Sequence, residues 1–150
     1  MTEHNFFNVA NKSKFLGSSN PIYRSSWEKR IMTFCDINER VKRWGYEYVT
    51  IPYYGGDGKQ HRYIIDFYIE ILDNSNKLRK CLVEVKPMKD SVKPKPPKVN
   101  NRKAMFRYIY ELNTFKKNTN KWNAARMFCE SKNLEFHVLT EATIKRFGAL

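Results

Sequence analysis

The sequence predicts an α/β domain in which helices flank a mixed central sheet. Segments rich in β-branched and aromatic residues alternate with segments whose apolar residues recur every three to four positions. Their order (helix, three strands, two helices, strand, helix) suits a sheet covered by helices. A chain of 150 residues, 41% of them hydrophobic, supplies one packed core. Residues 23–150 are therefore expected to form a single domain, preceded by an irregular arm over 1–22 that packs only partly.

The first helix is expected from Ser25, because Trp27, Ile31, Phe34, Val41 and Trp44 recur at helical spacing and Gly45 supplies a stop. Ser25-Ser26-Trp27-Glu28 reads as a capping box, with Glu28 reaching back to the Ser25 backbone N–H. A strand over 46–53 and a turn at Gly55-Gly56-Asp57-Gly58 follow. Residues 62–72 alternate as a second strand and 80–86 form a third, joined in a hairpin through Asp73-Asn74-Ser75-Asn76. From Pro87 to Asn101 the lysines and prolines predict an extended basic loop. Beyond it lie two helices, over 102–117 and 119–132, divided at Asn118 and Asn120. A short strand over 134–139 and a helix capped by Thr140 and running to Phe147 complete the pattern.

A formal net charge of +13 points to a polyanionic partner, with nucleic acid first among them. No apolar run approaches the ~18 residues of a membrane span, so no membrane partner is expected. Asn5, Asn8 and Asn11 interrupt any signal-peptide core, and the expected site of synthesis is intracellular. Cys35, Cys81 and Cys129 are scattered, as are His4, His61 and His137. The cysteines read as buried reduced thiols, and any metal as a hard cation held by carboxylate oxygens.

The chemistry concentrates in Asp66 and in Glu84-Val85-Lys86. Alternation along a strand puts Glu84 and Lys86 on one face and Val83 and Val85 on the other. In the preceding strand, Asp66 lies opposite the apolar row of Tyr63, Ile65, Phe67 and Ile69. A hairpin symmetric about Ser75 sets Asp66 directly across from Glu84, with Cβ atoms ~5 Å apart, a gap one cation bridges. Lys86 on the same face offsets part of that charge or positions a water. Two carboxylates holding a cation, beside a lysine, are what phosphodiester hydrolysis requires. A Val-Glu-Val-Lys stretch alone also describes any half-exposed strand; the hairpin-matched Asp66 and the basic chain favour the catalytic reading.

At these residues the chain resembles the PD-(D/E)XK nuclease superfamily, whose signature is an Asp entering one strand and a Glu-x-Lys on the next; Ile65 stands where the signature has Pro. The resemblance implies a restriction-endonuclease-like core, metal ligands Asp66 and Glu84, and a catalytic set of Glu28, Asp66, Glu84 and Lys86, with Glu28 at the place of the helix carboxylate often found in the superfamily. Ile22 to Glu28, Trp44, Ile51-Pro52-Tyr53, His61-Arg62-Tyr63 and Asp66-Phe67 further resemble the head completion nucleases of large contractile-tailed phages. Lys121 to Arg126 and Leu139-Thr140-Glu141 extend the likeness less distinctively. That resemblance implies an Mg²⁺- or Mn²⁺-dependent deoxyribonuclease, an endonuclease with exonuclease action left open. It also implies phage head or neck proteins as partners, and a place in the host cytoplasm during assembly or with the virion.

Lys89, Lys93, Lys95, Lys98, Arg102 and Lys103 are candidate phosphate contacts, although a charge run is as often merely solvated. His61 and the tryptophans Trp27, Trp44 and Trp122 read as packing residues rather than as catalytic or base-stacking groups. Two other functions compete: a basic structural protein of the virion neck without catalysis, and a transposase subunit or repair endonuclease with the same active site.

Overall fold

The computed structural model describes residues 5–143. Its first helix, α1 (Ser26–Ile37), begins as the sequence predicts: Ser25 is the N-cap and its Oγ accepts the Glu28 N–H at 3.1 Å. The helix ends well before the predicted Gly45. Asn38 turns the chain out of the helix, its side chain accepting the Arg40 N–H at 2.9 Å in place of a further helical turn. Val41 and Trp44 lie instead on strand β1 (Val41–Tyr46). A register shift between Val41 and Arg43 inserts one extra residue, so two positions three apart both point into the core. That bulge copies helical spacing.

Strands β2 (Thr50–Tyr54) and β3 (Gln60–Ile64) form an antiparallel pair joined through the glycine turn, where Gly58 adopts a φ of 74°. The strand expected over 62–72 is interrupted. After Ile64 the chain leaves that pair, bends at Asp66 and enters β4 (Phe67–Leu72) in a different sheet. Two backbone bonds fix the crossing: Ile65 N–H to Val49 O at 3.0 Å, and Glu47 N–H to Asp66 O at 2.9 Å.

With β5 (Leu78–Val85) and β6 (Glu135–Leu139), the larger sheet has the order β1-β4-β5-β6, antiparallel except for the parallel pair β5 and β6. The β4–β5 turn is closed by Asp73, whose Oδ1 accepts the N–H groups of Ser75 and Lys77 at 2.8 and 2.9 Å. Phe67 pairs with Val83 and Tyr68 with Leu82. The hairpin is therefore centred on Ser75.

Segment 87–101 opens with a short helix, α2 (Met88–Ser91), where the sequence predicts only extended chain. The two helices predicted beyond it are one, α3 (Arg102–Lys132), capped by Asn101 and ended by Asn133 in the left-handed conformation (φ 59°). Asn118 does not break it, because burial against the sheet outweighs the weak intrinsic penalty for Asn in a helix. Of the predicted last helix, residues 141–143 are helical and the remainder lies outside the described residues.

Each face of the larger sheet has its own core. On one, Ile31, Met32 and Cys35 of α1 pack on Trp44, Phe67, Ile69 and Val83, joined by Val9 of the N-terminal segment. Phe15 also packs on Trp44, with ring centroids 4.6 Å apart, and Asp36 accepts the N–H groups of Ala10 and Asn11 at 2.9 Å. On the other face, Trp122, Ala125 and Cys129 of α3 cover Leu82 together with Ile51, Tyr53, Tyr63 and Ile65 of the β2–β3 unit. Fully burying each large apolar side chain contributes about 1.5–3 kcal/mol, so these two layers hold the hairpin between them. Among the described residues no helix is long and apolar enough to cross a membrane.

Candidate active site

Glu84 belongs to the row of β5 that faces α3, yet its carboxylate is only 4% exposed. A buried carboxylate needs partners. One is Tyr63, whose hydroxyl donates to Glu84 Oε2 at 2.5 Å. The other group beside it is Asp66: continuing the hairpin register one step past Phe67 and Val83 brings Asp66 across from Glu84, where its negative charge bears on Glu84. Asp66 Oδ2 also accepts the Val85 N–H at 2.8 Å, which ties the bend between β3 and β4 to the end of β5.

Burial, followed by the negative charge of Asp66, pushes the Glu84 pKa up to about 8. Burial raises that of Asp66 as well, with Glu28 adding to the effect, while the Val85 N–H and the charge of Lys86 act against it. Two carboxylates this close cannot both stay ionised without a compensating positive charge. The raised Glu84 pKa favours a proton at that carboxyl.

Lys86 follows directly, half-exposed, its backbone N–H bonded to Leu139 O at 2.9 Å and its charge acting on both carboxyls. Glu28 is buried on α1 (7% exposed) and bears electrostatically on Asp66. Its carboxylate accepts the Arg24 N–H at 2.7 Å and the Tyr46 hydroxyl at 3.1 Å. The predicted reach to Ser25 N–H is thus corrected by one residue, while the Ser25 half of the cap stands. Glu28 comes from α1, Asp66 from the bend between β3 and β4, Glu84 from the end of β5 and Lys86 from the residue after it.

Two neighbours escape a reading by alternation. Tyr63 sits in the apolar row opposite Asp66 on paper, but the break after Ile64 lets its hydroxyl reach Glu84. Lys121 comes from α3, with its ammonium 5.3 Å from the centre of the Tyr63 ring. Burial lowers its pKa, as do the charges of Lys117 and Lys86, while Glu84 and Asp66 pull it back up. A lysine one residue before the buried Trp122 was the only local hint of its position.

The basic candidates Lys89, Lys93, Lys95, Lys98, Arg102 and Lys103 are all exposed along α2, the following loop and the start of α3. Lys95 and Lys103 line one shallow groove with Arg107. None has a described contact with the carboxylates. His61 stacks on Tyr53 and pairs with Asp57 at 3.0 Å, while Trp44 and Trp122 are core residues.

All three cysteines are free and buried. Linear spacing shows no thiol and imidazole cluster, yet the parallel pairing of β5 with β6 gathers ligand atoms of Cys81, Glu135 and His137 within 4.8 Å of one another. Glu135 is already engaged by both guanidinium donors of Arg79, whose charge opposes a cation there. This cluster lies on the α1 side of the sheet, away from Glu84. The Asp66 and Glu84 pair is the better fit to a hard divalent ion, because its donors are all oxygens and neither carboxylate is tied up in an ion pair among the described residues.

Comparison with known proteins gives the family of the chain. Residues 38–141 match the family model of the TnsA-like endonuclease N-terminal domain. Over 140 residues the chain is 34% identical to the head completion nuclease of Enterobacteria phage T4, covering 92% of this chain and 91% of that protein. No solved structure matches the chain. The observed mixed sheet between helices is the restriction-endonuclease-like architecture of such a domain. On these grounds the chain belongs to the TnsA-like endonuclease family and is a relative of the phage head completion nuclease.

Proposed function

We propose that this endonuclease hydrolyses DNA phosphodiesters with Mg²⁺ or Mn²⁺ and acts in phage head completion. The observation that carries the chemistry is the facing pair Asp66 and Glu84, with Glu84 buried, beside Lys86. The head-completion role rests on the relationship to the phage T4 protein.

Asp66 and Glu84 would hold the ion. When bound, it supplies the charge that polarises the phosphoryl oxygen and makes water a stronger acid. The Val85 N–H and the Tyr63 hydroxyl orient one oxygen of each carboxylate, leaving the facing oxygens for the ligand. Lys86 is placed to orient the attacking water and to offset charge developing on the phosphate. Glu28, held by Arg24 and Tyr46, bears on Asp66 and completes the catalytic set. The exposed lysines from Lys89 to Lys103 neutralise phosphates flanking the site.

Protein partners at the phage head or neck, and work in the host cytoplasm during assembly, follow from the same relationship. Incubation with closed circular and linear duplex DNA in Mg²⁺, Mn²⁺ or excess EDTA tests the proposal. Cleavage of the circle with either ion and none in EDTA is expected; an inert protein under all three conditions would leave a non-catalytic DNA-binding role.

A further inference from the structure

A second basic surface is built from residues outside the 87–103 segment. Between the β2–β3 turn and the middle of α3 runs a groove of about 580 Å³, lined by His61, Arg62, Lys116, Lys117, Asn120 and Lys121 among others. Four of these are permanent cations. Asp57 is the one carboxylate lining the groove, and it is occupied by His61 and by the Lys59 N–H. None of Arg62, Lys116, Lys117 or Lys121 forms an ion pair among the described residues.

The helix extends this surface. Lys103, Arg107, Tyr110, Thr114, Lys117 and Lys121 follow spacings of four, three, four, three and four residues, which places them in one stripe along α3. The stripe ends at Lys121, over the Tyr63 ring whose hydroxyl holds Glu84. Burial, with the charges of Lys117 and Lys86 nearby, lowers the Lys121 pKa, against the pull of Glu84 and Asp66. Four groove cations without an ion pair among the described residues, the last of them beside the ring that holds Glu84, suit a polyanion whose one reactive phosphate must reach the carboxylate pair.

We propose that this groove binds the phosphodiester backbone of the DNA strand on one side of the cleaved bond, with Lys121 contacting the phosphate nearest the carboxylates. This rests on the nuclease reading above and adds Arg62, Lys116, Lys117 and Lys121 to the substrate contacts. The contact is to backbone and therefore independent of base sequence.

The test is the salt dependence of binding to a fluorescent duplex in EDTA, where no cleavage interferes, for the full chain and for Arg62→Gln/Lys116→Gln/Lys117→Gln. The slope of log affinity against log salt should fall by about 2 to 3, at about 0.9 per lost phosphate contact, with at least tenfold weaker binding at low salt. The variant Lys116→Arg/Lys117→Arg, which keeps the charge, should retain the wild-type slope and serves as the folding control. An unchanged slope in the Gln variant, with the wild type still cleaving in Mg²⁺, would overturn the groove and leave the nuclease standing. A reduced slope with a wild type that never cleaves would support the groove as a DNA site while removing the nuclease reading.

Discussion

The Tyr63 hydroxyl donates a 2.5 Å hydrogen bond to Glu84 Oε2, joining the small β2–β3 unit to the carboxylate pair of the larger sheet. Tyr63→Phe keeps the ring that packs on Trp122 and loses only this bond. A net stability loss of about 1 kcal/mol is expected. If the same bond orients Glu84 at a value of about 1.4 kcal/mol, cleavage falls roughly tenfold. Thermal melts and single-turnover rates check both, and an unchanged rate would reduce Tyr63 to a packing residue.

Glu28 separates packing from chemistry. Glu28→Gln can still accept the Arg24 N–H, and the Tyr46 hydroxyl can reverse to accept from the new amide, so stability should stay within about 0.5 kcal/mol of wild type. Nuclease activity should drop by most of its value, because the charge bearing on Asp66 is gone. Glu28→Ala should lose activity and also about 1–3 kcal/mol, since a buried hydroxyl is left without its acceptor. A fully active Gln variant would confine the catalytic set to Asp66, Glu84 and Lys86.

How far these contacts were legible follows from which interactions are local. The facing of Asp66 and Glu84 could be read because the Asp73 to Lys77 turn is polar and the hairpin symmetric, so counting from Ser75 gives the register. Tyr63 could not, because alternation assumes one continuous strand, and the break after Ile64 depends on partners at Val49 and Glu47. The same holds for Val41 and Trp44, where a bulge imitates helical spacing, and for Asn118, where tertiary burial overrides a local breaker. Lys121 and the Cys81, Glu135 and His137 cluster depend on long-range docking of α3 and β6.

The carboxylate pair predicts how stability responds to pH. Burial raises the Glu84 pKa from 4.5 to about 8, so the folded protein holds this proton more tightly than the unfolded chain. The associated stability is complete below 4.5 and is lost as pH rises toward about 8. Asp66, also raised, acts in the same direction. A divalent ion binds the ionised carboxylate and so competes with the proton on Glu84, and stabilisation by Mg²⁺ should grow across that same interval. Melts with Mg²⁺ or EDTA between pH 5 and 8 measure this, and an Mg²⁺ effect independent of pH would contradict a ligand set containing Glu84.

The loop lysines give a prediction separate from the groove. Lys93→Gln/Lys95→Gln/Lys98→Gln should lower the salt slope of duplex binding by about 2 to 3, with little dependence on sequence. These side chains are exposed, so stability should change by no more than about 0.5 kcal/mol. An unaltered slope would make the lysines a solvated surface.

The central claim is that Asp66, Glu84 and Lys86 form one metal-dependent hydrolytic site. Its most direct test is the rate of cleavage of closed circular DNA in Mg²⁺ by the wild type, Asp66→Asn and Lys86→Ala, each first shown to be folded and to bind DNA. The account predicts cleavage by the wild type that stops in excess EDTA, and at least a hundredfold loss in both variants, the scale of a lost electrostatic or acid–base contribution. Wild-type rates in either variant, or cleavage that persists in EDTA, would contradict it.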